Sequence, residues 1–345
     1  MWQRQEIQKL LRQKRIRIMR MFHVKHPFFI KGMGHFNNWF LCYIIITKGK
    51  KSLGKTIEGF KLIHSRNEFY NSNSGGIPML MTNFLQQRRS SREFQDRTLG
   101  RDKLELSKKI IEDLEVEKEN AQLFFRLYEN GTPIYDALKG KAGYSGTMIK
   151  APIYVAMGLK DDEPLTKLQA GYALEKFNSK ISNEGVKTCW VTVTQVAPEV
   201  KKAIFGEMGE HVSYVIAMGL PKEQKLFTPE VVSARKPIDE FVYSGSFRKV
   251  AKADELENLG LFDLFSSIRF APSHRNSQPW VFVIKDSEVY IYTINNREVK
   301  RNLVDLGVIM YYFEEMLKEF GASNKWEILP LEEEEGYLKV AKIRL

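Results

Sequence analysis

The chain has 345 residues, 43% of them hydrophobic, enough to bury a sizeable core and to make about two domains of ordinary size. Its two cysteines, Cys42 and Cys189, allow at most one disulfide and offer no CxxC or Cys/His spacing for a structural metal, so a reducing cytoplasm is the expected compartment. The net charge of +11 would suggest an acidic partner, but residues 1–78 hold fifteen Lys or Arg against three Asp or Glu, and the remainder, 38 against 39, is close to neutral.

Residues 1–78 open with "RQKRIRIMR", which is compatible with an amphipathic basic helix, an organellar leader or a nucleic-acid arm. The longest apolar run, Trp39 to Ile46, is far short of the roughly 20 residues that cross a bilayer. The segment sustains neither a helical nor a strand period and ends in a turn-rich "NSNSGGIP". We therefore expect residues 1–78 to be a basic extension that is disordered or not native, with translation starting at Met79 or Met81. Two codings motivate this: "SGGIPM" can carry a ribosome-binding AGGAGG before the codon of Met79, and "MFHVKH" can be written as a DNA palindrome like a bacterial chromosome-partition site.

Beyond Met79, "RRSSREF" (Arg88 to Phe94) gathers three arginines and two serines; taken alone, such a run is a solvated helix start. Further on, "KAPIYVAMG" from Lys150 is a strand introduced by a proline, "LTKLQAGYALEKFNSKISNEG" has a helical pattern, and "CWVTV" is β-rich. The second half of the chain repeats this series. "SQPWVFVIK" from Ser277 is again a strand introduced by a proline and matches "KAPIYVAMG". The stretch "NLVDLGVIMYYFEEMLKEFG" is helical, and "KWEIL" follows. Gly171, Phe177, Gly185 and Trp190 of the first series and Gly307, Phe313, Gly321 and Trp326 of the second are each separated by 136 residues. Singly, each is a packing or cap residue. Their common offset predicts a duplicated unit of polar loop, strand, long helix and strand, and so an α+β sandwich with the two long helices packed together as in a two-fold dimer.

The polar loop of the second unit is "APSHRNSQPW", Ala271 to Trp280. With "FLQQRRSSREF", "GVKTCWV", "VIAMGLP" and "ARKPIDEFV", it resembles the FMN-dependent nitroreductase family, over nearly all of Met79 to Leu345. In that family the loop follows soon after the arginine stretch, whereas here it stands in the second half. The first half carries "GKAGYSGTMIKAPIY" where the loop is expected, and the second half lacks an arginine stretch and a GLP or RKP tail. The resemblance is therefore to the single-chain subfamily. It implies an α-β-α sandwich of two tandem half-units, residues 79–242 and 243–345, that imitates the family dimer and keeps one FMN site.

The same resemblance assigns site residues. Arg88, Arg89, Ser90 and Arg92 would grip the FMN phosphate, closed by Arg235 or Lys236, and guanidinium groups suit that dianion because they donate bidentate, charge-assisted bonds. Pro272, Ser273, Asn276 and Gln278 would line the pyrimidine edge of the flavin, with His274 and Arg275 pointing elsewhere and Pro279 and Trp280 serving the following strand. The alternative for the loop's Asn and Ser is turn self-capping. The backbone at Thr192 or Val193 would reach flavin N5. Cys189 is assigned to packing. The implied activity is ping-pong transfer of hydride or electrons from NAD(P)H through FMN to a nitroaromatic, quinone or similar acceptor, with no catalytic side chain, no metal and no membrane, by a cytoplasmic monomer. The sequence has no GxGxxG with which to choose NADH or NADPH. Two other readings stand beside this one: a flavin-binding protein for sensing or storage, and a nucleic-acid binder acting through the basic extension instead of the core.

Overall fold

A computed structural model describes residues 81, 84–85, 88–222 and 234–345. Every described residue lies within the compact unit Gly75–Leu345. The expectations for residues 1–78 therefore fall outside the described residues.

The first half runs α1 (Arg101–Glu115), β1 (Leu123–Tyr128), α2 (Thr132–Leu138), β2 (Ile153–Leu159), α3 (Pro164–Ser182), β3 (Lys187–Thr192), α4 (Pro198–Phe205) and β4 (Val212–Gly219). The second runs β5 (Val242–Ser244), α5 (Ala253–Leu259), α6 (Phe262–Ile268), β6 (Trp280–Lys285), β7 (Glu288–Ile294), α7 (Val299–Glu319), β8 (Glu327–Glu334) and β9 (Tyr337–Arg344). Two sheets result, ordered β1-β2-β4-β3 and β5-β6-β7-β9-β8. All pairs are antiparallel except β5 with β6. The expected junction after residue 242 falls inside β5, which joins the second sheet as its parallel edge.

Without β5, the two sheets have one topology. β1, β2, α3, β3 and β4 correspond in turn to β6, β7, α7, β8 and β9. This corrects two sequence matches. The strand "KAPIYVAMG" contains β2, whose counterpart is β7 and not the strand of "SQPWVFVIK", which is β6. Likewise the counterpart of the polar loop is the segment before β1, where a single 3-10 turn at Lys118–Asn120 answers the one at His274–Asn276. The strand-leading prolines misled because β1 and β2 are joined by a long segment containing α2, whereas only Asp286 and Ser287, both with positive φ, join β6 to β7.

The long helices lie side by side with their N-termini at one end. Gly171 and Gly307 permit this reciprocally: a methyl group at Gly171 would stand 1.9 Å from the carbonyl oxygen of Val304, and one at Gly307 would stand 1.9 Å from that of Leu168. Each pair is the other shifted by 136 residues, so the interface has the two-fold character of the duplication. The glycines at the far ends, Gly185 (φ +73°) and Gly321 (φ +83°), both take the left-handed conformation that follows a helix. The chain is thus an α+β sandwich of two tandem half-units.

Packing follows from the strand patterns. β2 is buried on both faces, with α1 and α3 on one side and α2 and α4 on the other. α7 packs through Phe313, Met316 and Ile309 on the second sheet at Phe282, on α6 at Phe265 and on Trp326 just before β8. Polar groups are also buried between the helices. Glu175, fully buried on α3, accepts from Arg88 (3.0 Å), from Asn178 (2.9 Å) and from the Tyr312 hydroxyl on α7. This network fixes the arginine segment to both halves, as a buried carboxylate requires partners. Among the described residues no helix is long and apolar enough to cross a membrane.

Candidate functional site

A cavity of about 710 Å3 opens beside the paired helices. Arg88, Ser90 and Arg92 reach it from the N-terminal segment, Trp190, Val191 and Thr192 from β3, and Pro272 and Ser273 from the polar loop. Residues far apart in sequence, such as Ser90 and Ser273, therefore share one wall system. The volume is in the range of small-molecule and cofactor pockets.

β3 is the outer strand of its sheet, so one edge of its backbone is open. The Ser91 N–H donates to Thr188 O at 3.0 Å and the Gly143 N–H to Thr192 O at 2.9 Å, which leaves the stretch between them facing the cavity. Of the two backbone positions expected near the ligand, only Thr192 lies there. Val193 is fully buried and its N–H donates to Ser213 O at 3.0 Å, which the alternation of an antiparallel ladder requires if Thr192 is to face outward.

The remaining expected residues do not line the large cavity. Arg89 faces a small side pocket of about 40 Å3 that it shares with Arg88, Lys187 and Thr188. Asn276 and Gln278 spend their amides on the chain. Asn276 Nδ2 donates to Ala234 O (2.6 Å), and Gln278 Nε2 donates to Arg269 O (3.1 Å). The Lys236 N–H donates to Gln278 Oε1 (2.8 Å), and Lys236 Nζ to Gln278 O (3.0 Å). These two loop residues thus bind the 234–236 segment to the polar loop. The loop is held in a costly shape: Arg275, Asn276 and Gln278 all have positive φ, and the Gln278 N–H is fixed by Ser273 Oγ at 2.9 Å.

Arg235, carried by that segment, donates through Nη2 to Phe270 O at 3.3 Å, while its Nε and Nη1 are buried without a partner. Burial, reinforced by the charges of Arg88, Arg89 and Arg269, pulls its pKa down to about 10. The charges of Arg88, Arg89 and Arg269 thus bear together on Arg235, an arrangement that an anion would relieve.

Several lining residues were missed or misplaced by the sequence reading. His274 and Arg275, expected to point away, both line the cavity, and the Arg275 guanidinium sits 4.8 Å from the ring centroid of Tyr144, tying the loops of the two halves together. Tyr144 belongs to "GKAGYSGTMIKAPIY", the stretch that stands where the first half was expected to carry its polar loop. Asp305 on α7 is 4% exposed, accepts the His274 N–H through Oδ1 at 3.0 Å and leaves Oδ2 buried without a partner. Cys189, beside the cavity, is 6% exposed, and burial pushes its thiol pKa up, as a packing residue would show. Among the described residues no cluster of His, Cys, Asp or Glu is set to hold a metal ion.

Two half-units of one topology, a pair of parallel helices between them and a cavity lined from both define the class: a nitroreductase-like sandwich in which one chain reproduces a dimer. The chain belongs to the family described as "Putative TM nitroreductase", whose model matches residues 81–317. Its fold is similar to the crystal structure of a "putative nitroreductase" from Thermotoga maritima, at 19% identity over 83% of this chain and 99% of that one, with a TM-score of 0.52. Shorter chains match in part. One is a nitroreductase with bound FMN from Bacteroides fragilis (18% identity, 45% of this chain and 95% of that one, TM-score 0.35). Another is an FMN-dependent nitroreductase from Clostridium difficile (17% identity, 43% and 91%, TM-score 0.36). No curated protein matches the chain.

Proposed function

We propose that the protein is an FMN-dependent NAD(P)H oxidoreductase that reduces nitroaromatic, quinone or similar acceptors, as a monomer with one flavin per chain. Family membership supports an oxidoreductase, and the observation that carries the flavin is the cavity with the guanidinium cluster at its border. Arg235 has two buried donors without partners and a depressed pKa, which is the chemistry a phosphate dianion would satisfy.

The residues fit the cofactor as follows. Arg235, Arg89 and Arg88 would hold the phosphate, with Ser90 and Arg92 completing that wall. Pro272 and Ser273 would border the ring, and the open backbone edge of β3 at Thr192 would offer a donor to it. Asn276, Gln278 and Lys236 act one step back, holding the loop and the 234–236 segment in register. Bound FMN would supply the hydride and electron transfer itself. The chain's contribution is position, exclusion of water and charge. Purification tests this: a yellow protein whose flavin is bleached by NADH or NADPH without oxygen and recovers on adding a quinone supports the reading. Flavin that binds but resists both donors would favour a sensing or storage role, and a colourless protein that ignores added FMN would overturn the proposal.

A further inference from the structure

The cavity lining is strongly one-sided in charge. Beyond Arg88 and Arg92 it carries Lys167 in the first turn of α3, Lys300 and Arg301 in the first turn of α7, and Arg275 on the polar loop, against a single acid among the described residues, Asp305. Burial pushes the Asp305 carboxyl up to about 7, only partly opposed by the His274 N–H and Arg301, so at neutral pH it is only about half ionised. Because α3 and α7 lie side by side with N-termini together, the positive ends of two long helix dipoles add at the same place. The acidic partners of these cations stand outside the cavity: Asp162 accepts from both Lys167 and Lys300, and Glu298 accepts from Arg301. Asp162 therefore clasps the two helix starts together, while Lys167, Lys300 and Arg301 still line the cavity. The wall is accessible, since the side chains of Lys300 and Arg301 are 74% and 45% exposed.

We infer that the end of the cavity framed by the first turns of α3 and α7 is an anion subsite, selecting a substrate that carries a carboxylate or phosphate group. This rests on the oxidoreductase reading and narrows it. Lys167, Lys300 and Arg301 are residues other than Arg88, Arg89 and Arg235, so a flavin phosphate held by those three arginines would not consume them. Two substrates could bring such an anion, an acidic acceptor or the 2′-phosphate of NADPH, and the test separates them.

In the flavin-loaded protein, kcat/KM for 4-nitrobenzoate and for nitrobenzene are measured with NADH, and for NADPH and NADH with nitrobenzene. At low salt one of the two ratios should favour the anion by about tenfold or more, the discrimination expected of one charge-assisted contact. The double substitution Lys300→Gln with Arg301→Gln should bring that ratio close to one. Ratios taken within one preparation cancel any loss of folded protein. An acceptor ratio that collapses assigns the subsite to the acceptor, and a donor ratio that collapses assigns it to NADPH. Calorimetric binding of 4-nitrobenzoate or of 2′-phospho-AMP to the protein as purified gives a readout independent of turnover, and should weaken in the double variant and at high salt. Two ratios near one in the unsubstituted protein, or ratios and binding unmoved by the substitutions, would overturn the inference. Failure of NADH to reduce the flavin would instead count against the oxidoreductase reading while the calorimetry still tested the subsite.

Discussion

At the scale of residues, the site combines groups that touch the cavity with groups that hold others in place. Arg235→Ala should weaken FMN binding by about tenfold or more, because a charged donor is worth about 1.5–3 kcal/mol, and a fluorescence titration of the flavin reads it directly. Glu175→Ala should cost about 3–5 kcal/mol of stability in chemical denaturation, since it strands the buried Arg88 guanidinium, whereas Glu175→Gln should cost less. Asp305 provides a pH test. Its pKa of about 7 in the fold lies above the ordinary aspartate value of 3.8, so the native state binds the proton more tightly than the unfolded chain does. Its stabilising contribution is complete below the unfolded value and is lost as pH rises through about 7. Stability should fall between about pH 4 and pH 7 relative to Asp305→Asn, whose amide oxygen can still accept the His274 N–H, and the difference should be flat above that window. The sequence displayed Arg88, Ser90, Arg92 and Ser273 because charge and hydroxyl clusters announce themselves. It hid the partners of Asn276 and Gln278, since an amide that binds a cofactor and one that binds a backbone carbonyl look alike, and it hid Asp305 inside an apolar helix pattern.

At the scale of elements, the close pairing of α3 and α7 depends on two glycines. Gly307→Ala or Gly171→Ala should destabilise the protein by about 3 kcal/mol or more, because the new methyl meets a backbone carbonyl of the opposite helix that cannot move alone. Gly321→Ala is the matched control. It has a positive φ but open space around it, so only the conformational cost of about 1 kcal/mol applies. The long helices were legible because their glycines and aromatics recur at one offset and burial leaves a periodic trace. The correspondence of β1 with β6 was not legible, since short strands carry little pattern and the loop lengths of the two halves differ most around them. A proline before each of two strands proved a weaker guide than sheet order.

At the scale of the whole molecule, duplication has been followed by division of labour. The first half contributes the arginine segment and the open edge of β3, the second contributes the polar loop and the first turn of α7, and the 234–236 segment is bound across by Asn276 and Gln278. Under the proposed function, an active site that two subunits would otherwise share is assembled inside one chain, and one flavin site is expected in a protein that needs no partner copy. The direct measurement is the flavin-to-chain ratio of the purified protein, by absorbance, together with its mass in solution by light scattering. One FMN per 40.1 kDa monomer is the expected result. Two flavins per chain, or flavin bound only by a dimer, would contradict the account.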